Sequence, residues 1–511
     1  MSLALRCLFF SASNETGATV RWRVLLALGG LGLAFYWLGL IRPYGLHALM
    51  VKPLLDIAQL TRDQPFAQAG FVATFAALSG LYYLGWRVCR GQQSRRMWIA
   101  LLVAALAFNV SLMGLYPIDA ADVFDNIMRG RITAQYGGNP FYETPNDYKR
   151  DPFRAYAAWR DATSAYGPVW EDLAAGASRV AGDDKLANVL VFKALGLVFY
   201  FGCIALIAAI LRRQAPERAV QGVCLFAWNP LVIYETAGNG HNDIVMVFFV
   251  VLAMFAMSRR RFTSAALALT AGALVKFIPI LLWPVVFAAG LRAVSGWKAR
   301  ARFVIGTLLA CAALIVVAYA PFWRGGDPLS VERRSTLFTT SLPAMAQVRL
   351  EASLETEASQ RVVSGVALSL IGGVVAVQTW RVWRKLGHSS DAAQAWLIPV
   401  RAATSILLFY LLVVCLWFQP WYALWPLALA ALLPEGAMAR TVVLLSYAAV
   451  WKTIVFDFFL VPGRSLPPRL VRETLIGPAT LGIVWLYAGY VLIARRLSRG
   501  VRYFRVQMTR P

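Results

Sequence analysis

Residues 219–257 read AVQGVCLFAWNPLVIYETAGNGHNDIVMVFFVVLAMFAM. Two apolar runs, 219–237 and 244–257, enclose the turn NGHND, from Asn239 to Asp243. A spanning helix needs about 20 mostly apolar residues. The first run reaches that length and the second is shorter. Working outward, long apolar runs recur at 24–41, 66–86, 97–117, 186–211, 303–322, 362–380, 402–418, 440–458 and 476–494. Shorter ones lie at 262–275, 278–291 and 421–434. The chain is expected to be an all-α integral membrane protein, a multi-span helical bundle of about 11 to 14 segments.

Composition agrees. Of 511 residues, 59% are hydrophobic and 15% charged, against about 25% charged in soluble domains. Apolar runs fill most of the chain, so 1–511 reads as a single transmembrane domain. The net charge of +24 would suggest nucleic acid in a soluble protein. Here the basic residues sit mainly in short loops between apolar runs, which is a topology signal, and no nucleic-acid partner is expected. With about fourteen segments counted, every basic cluster falls on one side. These clusters are Arg21 and Arg23; Arg87 to Arg96; Arg212 to Arg218; Arg259 to Arg261; Arg292 to Arg302; Arg381 to Lys385; and Arg495, Arg496, Arg499 and Arg502. The positive-inside rule makes that side cytoplasmic, both termini included, in a multi-pass plasma-membrane protein. Arg21 and Arg23 before a long apolar run read as a retained first span rather than a cleaved signal.

The other side receives the loop 118–185, the turn 238–243 and the loops 323–361 and 459–475. The first is the longest, with Tyr136, Tyr142, Tyr148, Tyr156, Trp159, Tyr166 and Trp170 beside many carboxylates. It is expected to form short amphipathic helices on the outer leaflet. Six cysteines, Cys7 among them, form no C-x-x-C pair, and three histidines are scattered. Free buried thiols are expected, with no metal site and no cofactor.

Four places carry candidate chemistry. Asp119, Asp122 and Asp125 follow a span. On a helix, Asp122 and Asp125 share a face with Asn126 and Arg129, and Asp125 to Arg129 suits an i,i+4 ion pair. A partly desolvated carboxylate there is a candidate general base; the plain alternative is a solvated, acidic helix start. The turn with His241, Asn242 and Asp243 is costly near lipid, and Asp243 also suits a cap on the following helix. Lys276 interrupts an apolar stretch just before Pro279. It reads as a cation facing a cavity, because broken backbone at membrane depth needs protein or water around it. Lys193 lies nearer an interface and is expected to snorkel. The loop GGNPFYETP, with Asn139, and YGPVW, with Tyr166, supply turns and aromatic faces that suit a sugar or headgroups. QPWY, with Gln419, Trp421 and Tyr422, breaks another apolar run. Arg324, Arg333 and Arg334 would attract a phosphate, although such residues are more often solvated.

At these residues the chain resembles a known family, the bacterial polyprenol-phosphate-mannose-dependent α-(1→6)-mannosyltransferases of the GT-C class. DVFDNIMRGRI from Asp122, with GGNPFY after it, resembles the family's Asp-Val-Tyr stretch. NPLVIYETAGNGHNDIVM from Asn229, LVKFIPILLWP from Leu274 and QPWYALW from Gln419 resemble three further stretches. They occur in the family's order over roughly residues 97–434, and Phe124 stands where the family often has Tyr. The resemblance implies a GT-C-like bundle, a polyprenyl-phosphate-sugar donor, an extracytoplasmic site and inversion at the anomeric carbon. It places Asp122 at the catalytic position, with Asp119 second.

The expected reaction moves a sugar, mannose by resemblance, to an extracytoplasmic glycan or glycolipid. Asp122 takes the acceptor proton. His241, Lys276, Arg129 or Arg131 stabilise the leaving phosphate. Asn242, Asp243, Asn139, Tyr166, Gln419, Trp421 and Tyr422 hold substrate. A lipid or small-molecule transporter is the rival reading, because broken helices with midplane charges also mark transporters. No pair of matched halves is evident, and the largest polar constellation is a loop.

Overall fold

The structure is a computed structural model, and it describes residues 15–325, 337–388, 392–460 and 469–508. Cys7, Arg333 and Arg334 lie outside the described residues, as do the side chains of Arg495, Arg496, Arg499 and Arg502.

Among the described residues, nine helices are long and apolar enough to cross a membrane. They are Val20–Ile41, Pro65–Val88, Arg95–Leu112, Lys185–Gln214, Trp297–Phe322, Thr356–His388, Leu397–Val414, Ala437–Phe459 and Arg469–Ala494. Three shorter apolar helices, Asp243–Ser258, Phe262–Ala273 and Ile278–Ala293, pack among them. No strand occurs among the described residues. The starts are locally encoded. Ser94 accepts the Met97 N–H and Asp184 the Ala187 N–H, each satisfying a donor that the first helical turn leaves free. Pro65 and Pro168 occupy first-turn positions where a missing N–H costs nothing.

The chain is an all-α membrane protein. Only 17% of the apolar windows of Trp297–Phe322 and Thr356–His388 is buried. Leu309, Val316, Val317 and Leu368 therefore face outward as exposed apolar side chains. Water would not tolerate such a surface and lipid does.

The run at 219–237 is not one helix. Ala219–Ala227 ends, Pro230–Ile233 makes a further turn, and Tyr234–Gly238 widens into a π-turn. Pro230 has no N–H to continue the ladder. Asn229 covers the break: its Oδ1 accepts the Leu231 N–H at 3.0 Å and its Nδ2 donates to Ser446 Oγ at 2.9 Å.

The basic turns converge at one end of the bundle. Glu435 takes Arg90 at 2.9 Å and Arg218 at 3.9 Å. Arg212 lies over Trp98, and Arg292 and Arg300 both approach Trp383. The polar turns converge at the other end.

At that end, loop 118–185 contains two helices, Asp122–Tyr136 and Pro168–Ala181. Val123 through Ile132 are all buried, so the first helix is embedded in protein rather than laid flat on a surface. Gly130 allows this packing, because a Cβ there would sit 2.5 Å from Ala174 O. Gly137, at φ +63°, ends the helix in the left-handed region that glycine adopts without strain. Lys193 does not snorkel. It is fully buried, and its Nζ donates to Met113 O at 3.3 Å and to Leu115 O. The carbonyls just past Arg95–Leu112 have no helical partner and supply what water would otherwise give.

The break before Lys276 is closed by the loop. Gly167 N–H donates to Val275 O at 3.0 Å and Val169 N–H to Leu274 O at 3.1 Å. The carbonyls freed at membrane depth are thereby satisfied within protein. Only glycine fits at 167, where a Cβ would lie 2.1 Å from Leu274 O.

Candidate active site

These contacts shape a cavity of about 570 Å³. Asp122, Asp125 and Arg129 form one wall from the start of Asp122–Tyr136. The segment from Trp159 to Tyr166 forms a second. Lys276, Phe277 and Ile278 come from the broken segment, and Trp417, Trp421, Tyr422 and Trp425 from the QPWY break. Four stretches distant in sequence therefore supply one pocket, charged at Asp122, Asp125, Arg129 and Lys276 and lined largely by aromatic and apolar side chains elsewhere.

The charges are arranged unequally. Lys276 Nζ donates to both oxygens of Asp243, at 2.9 and 2.8 Å. It also lies over the rings of Tyr422, Tyr166 and Trp425 at 4.9, 5.5 and 5.8 Å, which suits a cation withdrawn from water. Asp243 accepts a further bond from Trp425 Nε1 at 2.6 Å. Asp125 accepts the Ala158 and Trp159 N–H groups at 3.2 and 2.9 Å, and Arg129 sits 3.9 Å from it. The Arg129 guanidinium is under-used: its Nη2 donates to Ala162 O at 3.4 Å and its buried Nε has no partner.

Asp122 differs from both pairs. Its side chain keeps 23% exposure, and its one basic neighbour in ion-pair range among the described residues is the imidazole of His241, with Nδ1 at 3.8 Å. Burial, then the charge of Asp125, push its carboxyl up to about 7. Burial also raises Asp125, with Arg129 opposing. A carboxyl near 7 is matched to proton transfer at neutral pH.

Some expected site residues lie elsewhere. Arg131 points away from the cavity, because two positions on a helix turn it to the far side of Arg129. It donates to Asp151 at 2.8 Å, to Asp183 at 2.8 Å and to Gly182 O at 2.8 Å. Asn139 is a structural tie: its Nδ2 donates to Phe322 O at 2.7 Å and its Oδ1 accepts the Phe141 N–H. Gln419 accepts from Lys452 Nζ at 3.1 Å and does not line the cavity. Asn242 is buried at the cap position of Asp243–Ser258, off the cavity wall. Asp243 is the first residue of that helix and serves Lys276 rather than the cap. Asp119 accepts from Thr453 Oγ1 at 2.7 Å, and its N–H donates to Asn239 Oδ1. It belongs to a polar layer behind the cavity.

His241 lies between that layer and the cavity. Its ring stacks on Trp421 at 3.8 Å with 20° between planes. Its Nε2 is 3.3 Å from Glu235 Oε2. Glu235, Tyr410, Trp417 and Trp425 were not among the expected site residues. Glu235 had a signal, a lone acid inside an apolar run. The tryptophans had none, since aromatics beside membranes are common.

This multi-span helical bundle, whose polar loops wall an acidic, aromatic pocket, falls among the membrane glycosyltransferases by its sequence matches. Residues 23–292 match the family described as "Alpha-(1->6)-mannopyranosyltransferase, N-terminal domain", and the chain belongs to that family. Residues 181–413 also match glycosyltransferase family 87. The chain is 25% identical over 449 residues to alpha-(1->6)-mannopyranosyltransferase B of Corynebacterium glutamicum, covering 77% of this chain and 68% of that one. It is 22% identical over 397 residues to alpha-(1->6)-mannopyranosyltransferase A of Mycobacterium tuberculosis, covering 73% and 72%. No solved structure matches it.

Proposed function

We propose that this membrane glycosyltransferase moves mannose from a polyprenyl-phosphate donor to a glycan or glycolipid on the extracytoplasmic face, with inversion and with Asp122 as general base. The observation that carries the reading is the inequality of the cavity's charges. Asp243 and Asp125 are each engaged by a cation and by hydrogen bonds, whereas Asp122 faces the cavity without Lys or Arg in ion-pair range among the described residues. A base must be free to meet the acceptor hydroxyl.

Lys276 and Arg129 form the phosphate seat. Lys276 is 15% exposed toward the cavity, and the unpartnered Arg129 Nε offers a donor to an anion. As the acceptor oxygen bonds to the anomeric carbon, the bond to the lipid phosphate breaks and its electron pair leaves with the phosphate. Asp122 takes the hydroxyl proton. Tyr166, Trp421, Tyr422 and Trp425 offer faces to the sugar, where the polarised C–H groups of a pyranose meet π-density. The lipid chain lies along the apolar side at Ile278 and Leu416. The basic turns at the other end support a cytoplasmic assignment for that end, with both termini there and the cavity outside. The whole chain acts as one transmembrane domain.

The test is a transfer assay with purified protein and a panel of polyprenyl-phosphate sugars, run beside Asp122→Asn. Mannosyl transfer by the parent and its collapse in a folded Asp122→Asn are expected. Full transfer by Asp122→Asn removes Asp122 as base, and activity with nucleotide sugars alone removes the lipid donor.

A further inference from the structure

Behind the cavity runs a line of buried polar groups that the reaction as described does not use. Asp122 Oδ2, His241 Nδ1, His241 Nε2 and Glu235 Oε2 follow one another at 3.8 and 3.3 Å. Glu235 is fully buried, and no Lys or Arg nitrogen lies within 4.0 Å of it among the described residues. Asn239 Nδ2 donates to its Oε2 at 3.0 Å, its Oε1 meets no N–H donor, and Asp119 shares a hydrogen bond with the same carboxyl. Trp421 holds the imidazole plane from one side.

The protonation of this line follows from its setting. A buried carboxyl with no cation sheds its charge by keeping its proton. It then has a donor to offer, and His241 Nε2, 3.3 Å from its Oε2 and with no other partner, can accept it, with the Asp119 carboxyl as the competing partner of the same group. An imidazole that accepts at Nε2 carries its proton at Nδ1, the nitrogen turned to Asp122. Burial, with Lys276 adding to it, holds His241 below the ordinary histidine range, so the ring is neutral and one tautomer has to be selected.

We propose that Glu235, as a neutral acid, fixes His241 in the tautomer whose Nδ1–H donates to Asp122, and that the pair positions this base for attack. The proposal rests on the reading of Asp122 as base. Glu235 and His241 touch no substrate and are positioning residues. The 3.8 Å gap shortens when the acceptor fixes Asp122, as catalytic hydrogen bonds do in reactive complexes. Asp122 is faced also by Asp125, Asp243, Lys276, Arg129 and Tyr166. Glu235 is faced by Asp119, Asp243, Lys452 and Asn239.

Because the acid acts as a donor, an amide replaces it and an alkyl group does not. Glu235→Leu is expected to lower kcat about tenfold, the size of one charge-assisted hydrogen bond. It should also move the acidic limb of kcat up by about one pH unit, since Asp122 loses a bond to its charged form, with donor KM unchanged. Glu235→Gln is expected to restore most of that rate and the parent limb. Equal impairment of the Gln and Leu variants overturns the proposal, since it requires an ionised Glu235. An unaltered Glu235→Leu overturns it too. Where Glu235→Leu does not fold, His241→Phe keeps a ring against Trp421 and removes both nitrogens. The same loss and the same limb shift are expected, and unchanged kcat overturns the role. Asp122→Asn in the same assay separates the two ideas: if it transfers normally the base reading fails, and if it is inactive while Glu235→Leu is normal only the positioning fails.

Discussion

Lys276 Nζ sits 2.9 and 2.8 Å from the two carboxylate oxygens of Asp243, joining two interrupted apolar segments at the cavity wall. Asp243 is 1% exposed and Lys276 15%, so only the cation end of the pair opens to the cavity. Attraction for an anion and neutralisation of a buried acid are thereby combined in one side chain.

Lys276→Met is expected to destabilise the protein by about 3–5 kcal/mol, because Asp243 is left buried without a cation. It should also weaken the donor. Lys276→Met with Asp243→Asn should recover the melting temperature without recovering transfer. Thermal unfolding in detergent beside donor KM checks both halves, and joint recovery would count against the phosphate seat.

Gly167→Ala tests the loop that closes the broken segment. Its Cβ would meet Leu274 O at 2.1 Å, and backbone cannot swing aside as a flexible side chain does. A loss of about 1–3 kcal/mol is expected from overpacking, with reduced transfer as Tyr166 and Lys276 separate. An alanine variant with parent kcat and parent melting temperature refutes this.

The carboxyl of Asp122, pushed from 3.8 to about 7, gives transfer a defined pH dependence. Transfer should rise through about pH 7, since the base works only when ionised. Asp125→Asn removes the second cause of the shift and should move that limb down. Stability runs the other way. The folded state favours protonated Asp122, so its contribution is present below the ordinary carboxyl range and lost as pH rises through about 7. Asp122→Asn should therefore melt higher than the parent by a margin that grows from about pH 5 to pH 8. A constant margin contradicts the assignment.

Arg129 and Arg131 separate function from support. Arg131→Met should cost about 3–5 kcal/mol by stranding buried Asp151, while donor KM in the folded fraction stays near the parent. Arg129→Met should raise donor KM, at a smaller stability cost because its ion pair is long. Unfolding and kinetics measured on both variants decide the matter, and a reversed pattern would exchange their roles.

The membrane class, the helical content and the breaks at Lys276 and Gln419 were legible from the chain because each is a local property, whereas the break at Asn229–Pro230 went unread inside a run of spanning length. Apolar run length is set by bilayer thickness, and proline or a lone charge interrupts a run wherever it stands. Lys276 and His241 stood out for the same reason, as polar side chains where lipid makes them costly, while Asp122 was marked by its place just past a span and Tyr166 and Trp421 by the turns and breaks they occupy. Which of those polar residues share a cavity was decided only in three dimensions. Arg131 and Arg129 are near neighbours in sequence, yet opposite faces of one helix send them to a structural ion pair and to the cavity. Asp243 and Lys276, thirty-three residues apart, meet because Gly167 lets the loop dock on Leu274 and Val275. No local pattern records such a contact. It depends on the sum of packing over distant segments, and that sum placed Glu235 behind His241 and left Asp122 as the cavity-lining carboxylate without Lys or Arg in ion-pair range among the described residues.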